Sequence, residues 1–192
     1  MNYLKKLNPK LLLALCIAAS LSLACGSDDP EPPNEEELIT TVNVTFTNNG
    51  QTDEAVTGTF RDIDGPGGEA PTITGVQLSA NSSYTVTVEF LNESETPAED
   101  VTAEVREEDL DHQVFFVIGG NIGITYSYGD EDSQGNPLGL TGTLTTTVAG
   151  NADIQVVLVH EPVKSNVGVA DGNLANAGGE EDIRVQIPVV VQ

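Results

Sequence analysis

From Leu38 to the C-terminus the chain alternates apolar and polar residues with a period of two, in short runs rich in Thr and Val. Only a pleated strand sends every second side chain to one face, so this pattern commits the chain to sheet. Nine runs carry it: residues 38–47, 55–61, 72–78, 83–91, 113–118, 122–128, 140–148, 153–160 and 182–191. Gly, Asn, Asp and Pro separate the runs and supply the backbone conformations that tight turns demand. The spacing predicts an all-β fold: an antiparallel Ig-like or Greek-key β-sandwich of about seven to nine strands. Pro188 has no N–H to give to a ladder, so the last run is expected at a sheet edge or a bulge.

One stretch departs from the alternation. Thr96-Pro97-Ala98-Glu99 reads as a helix start, with Thr as the cap, Pro at the first helical position and Glu closing a capping box. Val101 and Val105 then share a face, while Glu104, Glu107, Glu108, Asp109 and Asp111 crowd the rest. The pattern predicts one short acidic helix from 97 to about 110, lying across an end of the sandwich and held by capping and packing.

The N-terminus has a different character. Lys5, Lys6 and Lys10 precede an apolar run from Leu11 to Leu23, and the small residues Ala24 and Gly26 flank Cys25. That is the layout of a secretory signal peptide over residues 1–24. Leu21-Ser22-Leu23-Ala24-Cys25 resembles a bacterial lipobox, departing from it at Ser22, where leucine is usual. The resemblance implies that Cys25 is the lipid attachment point and the first residue of the mature protein. Residues 25–37 then read as a lipidated, acidic, proline-rich tether, and 38–192 as the β-sandwich domain. Ser27-Asp28-Asp29 resembles the export signal of surface lipoproteins in Bacteroidota, which implies an outer-membrane, lipid-anchored protein facing the medium.

Charge narrows the partners. Thirty acidic residues face seven basic ones for a net charge of −23. Removal of residues 1–24 takes three lysines and no acid, leaving 168 residues at −26. A chain so acidic repels nucleic acid and anionic membrane surfaces, so the lipid is its expected link to the membrane. Self-repulsion of this size also favours bound cations. Cys16 leaves with the signal and Cys25 takes the lipid, so neither disulfides nor thiolate chemistry is expected. Gly-x-Ser-x-Gly, His-Glu-x-x-His and a phosphate loop are all missing, which points to a non-enzymatic chain.

Two acidic loops have the residue types that calcium takes. Asp62-Ile63-Asp64-Gly65-Pro66-Gly67-Gly68-Glu69 places Asp62, Asp64 and Glu69 around a glycine run, and the loop 130–136 offers Asp130, Asp132 and Asn136 in a similar way. Calcium takes six to eight oxygens from tight loops, and glycine lets backbone carbonyls turn inward. The same residues also suit plain hairpin turns. The second candidate is the histidine pair. His112 follows the predicted helix, and His160 ends a strong strand beside Glu161. Brought together with Glu161 or Asp111, the two imidazoles are a zinc or copper set.

Several stretches together resemble a group of small lipoproteins from Bacteroidota: Glu35-Glu36-Glu37-Leu38-Ile39-Thr40-Thr41-Val42, Phe90-Leu91-Asn92-Glu93 with Pro97-Ala98-Glu99-Asp100, His112-Gln113-Val114-Phe115-Phe116, Gly135-Asn136-Pro137-Leu138-Gly139-Leu140, and His160-Glu161-Pro162. Some members are labelled as a type 1 periplasmic binding fold, which implies alternating helices and strands, where this sequence has one short helix. The resemblance brings no catalytic residue. The function expected is a cell-surface lipoprotein acting as a non-enzymatic binding or interaction module for a protein or small-molecule ligand, with calcium as its stabilising cation. The alternative is metal or cofactor capture through His112 and His160 for an outer-membrane transporter.

Overall fold

The computed structural model describes residues 37–192 apart from 51–54 and 121–122. The signal segment, Cys25 and the tether through residue 36 therefore lie outside the described residues. Ten strands follow: β1 (Thr41–Asn48), β2 (Ala55–Arg61), β3 (Thr72–Thr74), β4 (Val76–Leu78), β5 (Ser82–Leu91), β6 (His112–Gly119), β7 (Ile124–Tyr128), β8 (Thr141–Thr146), β9 (Gly150–His160) and β10 (Glu180–Val191). A single α-helix, α1 (Val101–Glu107), interrupts them among the described residues.

The strands form two sheets, ordered β3-β2-β1-β5-β8-β7 and β4-β10-β9-β6. Every pair in the larger sheet is antiparallel. In the smaller one only β4 on β10 runs parallel. Without β2, β3 and β4 the sheets read β1-β5-β8-β7 and β10-β9-β6, the A-B-E-D and G-F-C orders of an immunoglobulin-type sandwich. The all-β expectation holds, and the helix-rich architecture implied by the periplasmic-binding label does not.

The expected strand 72–78 is two strands in different sheets. β3 pairs with β2, β4 pairs with β10, and Gly75 lies between them. A Cβ on Gly75 would sit 2.7 Å from the carbonyl oxygen of Pro188, so the crossing is made where a residue has no side chain. β4 meets β10 only from Val189 onward. Up to Pro188 that side of β10 is therefore open, which is where a missing N–H leaves no gap in a ladder.

Between the sheets lie Val44, Phe46, Val86 and Phe90 from one side and Val114, Ile154, Leu158 and Ile187 from the other, all fully buried. The outer face of the smaller sheet is covered as well. Phe115, Val157 and Val159 pack against Val169 and Ala177 of the connection 161–179. β9 is thus buried on both faces, which explains why Val156-Val157-Leu158-Val159 runs apolar without alternation.

The helix starts later than its sequence suggests. Asn92 and Glu99 exchange backbone hydrogen bonds (3.1 and 3.0 Å), and the Glu99 carboxylate accepts from Asn92 Nδ2, so Glu99 closes a bridge and not a capping box. Asp100 takes the cap position with no side-chain cap bond. Val101 and Val105 do face the core, and Thr102 Oγ1 both accepts from the Phe90 N–H (2.8 Å) and donates to its carbonyl (3.1 Å).

At one end of the sandwich the connections 92–111, 129–140 and 161–179 are tied to one another. Lys164 Nζ donates to Asp132 Oδ2 (2.9 Å) and to the Asp109 carbonyl (2.6 Å), and Ser133 donates its N–H and hydroxyl to the Asp109 carboxylate. The connections that meet at this end are those between β5 and β6, β7 and β8, and β9 and β10.

Candidate metal centre

The antiparallel register of β6 on β9 sets His112 directly opposite His160. By strand alternation His112 shares a face with Val114, and His160 with Leu158, so both imidazoles point into the space between the sheets. Their ring centroids are 4.6 Å apart, and the two residues are 0% and 8% exposed. His112 Nδ1 lies 3.2 Å from the Glu108 carbonyl in the turn after α1. A carbonyl can only accept, so Nδ1 is the donor in this contact, and the bond fixes the ring with Nε2 turned toward the carboxylates.

Two carboxylates complete the group. Asp182 arrives through a bulge: the β9–β10 ladder shifts between Glu181 and Ile183, leaving Asp182 as the extra residue. Unbroken alternation would send Asp182 to the face opposite Ile183; the bulge turns it toward the histidines instead, its side chain 1% exposed. Gly179 (φ +70°) lets β10 begin hard against β9, since a Cβ there would overlap the His160 carbonyl oxygen. Glu37, from the segment leading into β1, brings Oε1 to 3.1 Å from His112 Nε2, and its side chain is 8% exposed.

Asp182 Oδ2 is 3.9 Å from His112 Nε2, and Oδ1 is 3.9 Å from His160 Nδ1. One ligand atom from each of Glu37, His112, His160 and Asp182 lies within 4.8 Å of all the others. Four donors around a zinc ion at 2.0–2.1 Å stand about 3.3 Å apart, so this set would draw in to close on an ion. Glu37 Oε2 is buried with no hydrogen-bond partner, and His112 Nε2 has the Glu37 and Asp182 carboxylates as its polar neighbours. Both carboxylates are almost wholly buried, and the interior tolerates such charge only when it is balanced. This group could hold a metal ion.

The other sequence-derived candidates lie elsewhere. Glu161 is exposed, and its N–H donates to the Asp111 carbonyl (2.6 Å). Neither Glu161 nor Asp111 joins the histidines, whose partners are Glu37 and Asp182. Asp62 accepts the Gly65 N–H and exposed Asp64 the Glu69 N–H, so both shape their own turn, with Glu69 exposed. Asp130 accepts the N–H groups of Gly139 and Thr141. Asp132 is buried and accepts from Gln134, Asn136 and Lys164. β2, which leads into the first loop, and β7, which leads into the second, are four strand steps apart, about 19 Å at the level of the sheet.

Glu37 and Asp182 carried little signal in the sequence. Glu37 is one of three consecutive glutamates and Asp182 the last of three consecutive acids. Comparison of the chain with family models, with curated proteins and with solved structures returns no match.

Proposed function

We propose that this chain is a non-enzymatic, lipid-anchored cell-surface module whose loop-bearing end is stiffened by one zinc-class divalent cation. The observation that carries the reading is the buried convergence of His112, His160, Glu37 and Asp182. Two imidazoles with two carboxylates suit zinc far better than calcium, which takes oxygen alone. Four protein donors with almost no exposure make a closed site of the structural kind, so the ion is retained and not handed to a transporter.

The position gives the ion its purpose. Its ligands come from the starts of β6 and β10, the end of β9 and the strand-entry segment before β1, directly beneath the tied loops. An ion there fastens the smaller sheet to the segment entering the larger one and holds the loop end in one shape. A pre-set loop surface binds with a smaller ordering penalty, which is how an interaction module gains from such a staple.

The test is thermal unfolding of the lipid-free chain, residues 26–192, after chelation and then with zinc or calcium. Zinc at 100 times its dissociation constant should stabilise the fold by about 2.7 kcal/mol, a rise of several degrees, with calcium producing none. Equal stabilisation by calcium, or no response to zinc, would overturn the proposal.

A further inference from the structure

The four donors differ in what they border. A groove of about 640 Å³ runs along the sandwich end between the 62–66 turn and the start of β10. Glu37 and Asp182 line it; His112 and His160 do not. The groove therefore meets the cation group on its carboxylate side, although exposure does not separate the two pairs: the side chains are 8% (Glu37), 1% (Asp182), 0% (His112) and 10% (His160) exposed. Asp62, Asp64 and Glu181 stand along the same groove. Its one cation, Arg184, is held in a bidentate pair by the Glu181 carboxylate, which leaves the groove strongly negative. Glu37 contributes the independent sign of a ligand: a side chain more than nine-tenths buried, lining the groove, with Oε2 lacking a hydrogen-bond partner.

We infer that this groove is the entry path of the divalent cation, with Asp62 and Asp64 drawing the ion in and Glu37 and Asp182 receiving it before the histidines. The inference rests on the zinc reading above and adds the route and the residues that serve it. A cleft lined by one sign of charge with apolar walls, here Phe60, Ile63 and Ile183, concentrates counter-ions and raises their association rate. The two acidic turn residues thus keep a cation role while their oxygens remain in turn hydrogen bonds. They attract through space and do not coordinate.

The experiment is stopped-flow mixing of metal-free protein with zinc ions, read by competition with a zinc-sensitive dye. It compares the parent chain, the double variant Asp62→Asn/Asp64→Asn and the control Glu95→Gln, an exposed acid outside the groove. Asparagine keeps an acceptor oxygen for each turn, so the loop is retained. At low salt the double variant should load zinc about three- to ten-fold more slowly, with one ion still bound per chain, and the control should match the parent. At 0.5 M NaCl the difference should disappear, because screening shortens the reach of the field. An unchanged rate in the double variant, or an equal slowing in the control, overturns the entry path while zinc binding stands. A parent chain that takes up no zinc overturns the zinc reading and the path together.

Discussion

Replacing Asp132 by Asn removes one negative charge from the clasp that ties three connections together. Oδ1 accepts the N–H groups of Gln134 (2.9 Å) and Asn136 (2.8 Å), and Oδ2 accepts Asn136 Nδ2 (3.0 Å) and Lys164 Nζ (2.9 Å). Burial by itself pushes this carboxyl up; the bonds from Asn136, Lys164 and Gln134 outweigh it and hold it down at about 2. Displacement from an ordinary value of about 3.9 corresponds to about 2.5 kcal/mol, which screening at the loop trims to about 1.5. The amide also turns a donor toward Lys164, whose side chain is 7% exposed and keeps only the Asp109 carbonyl. An uncompensated, nearly buried lysine adds to the loss, for a total of about 2–4 kcal/mol at pH 7. The sign with pH follows from the depressed value. The stabilisation is complete above the ordinary carboxylate range and fades as pH falls from about 4 through 2. Urea unfolding of parent and Asp132→Asn, followed by circular dichroism between pH 7 and pH 2.5, should therefore show a gap that narrows across that window. A gap under about 0.5 kcal/mol at pH 7, or one independent of pH, would refute the reasoning. A calcium-specific stabilisation of the parent that Asp132→Asn abolishes would show that the loop is a cation site after all.

Further outcomes follow from other contacts. His112→Ala and Asp182→Asn should each abolish the thermal shift produced by zinc, whereas Glu161→Gln, which lies outside the group, should leave it intact in the same melting assay. Thr102→Val strands the buried Phe90 N–H and should lower the unfolding free energy by about 1–3 kcal/mol in urea titrations, with the helix still folded by circular dichroism. Gly75→Ala places a Cβ against the Pro188 carbonyl at the sheet crossing and should lower stability by about 1–3 kcal/mol in the same titrations.

The sandwich was legible because strand alternation is a local property. Val42, Val44 and Phe46 face inward and their neighbours outward by geometry alone. What escaped the sequence was anything decided by a partner distant along the chain. The 72–78 run reads as one strand, yet Gly75 hands it from one sheet to the other because Pro188 approaches there. Glu99 looks like a capping-box residue until Asn92 claims its backbone and side chain. The histidines stood out by type, but their meeting depends on the β6–β9 register, and no periodicity sets which residues of two strands lie opposite. Asp182 was hidden for a sharper reason: the bulge reverses the alternation that would otherwise assign its face. The acidic loops attracted notice because Asp and Gly serve turns and calcium alike, and here their carboxylates bind their own backbone.

In the proposed module one zinc-class ion is held by His112, His160, Glu37 and Asp182. Zinc-edge X-ray absorption on the zinc-loaded chain, with the metal quantified on the same sample, tests it most directly. The expected spectrum is that of one ion per chain, four-coordinate, with two imidazole nitrogens and two carboxylate oxygens at about 2.0–2.1 Å and one imidazole signal lost in His160→Ala. A six-coordinate, all-oxygen environment, or a spectrum unchanged by removing His160, would contradict it.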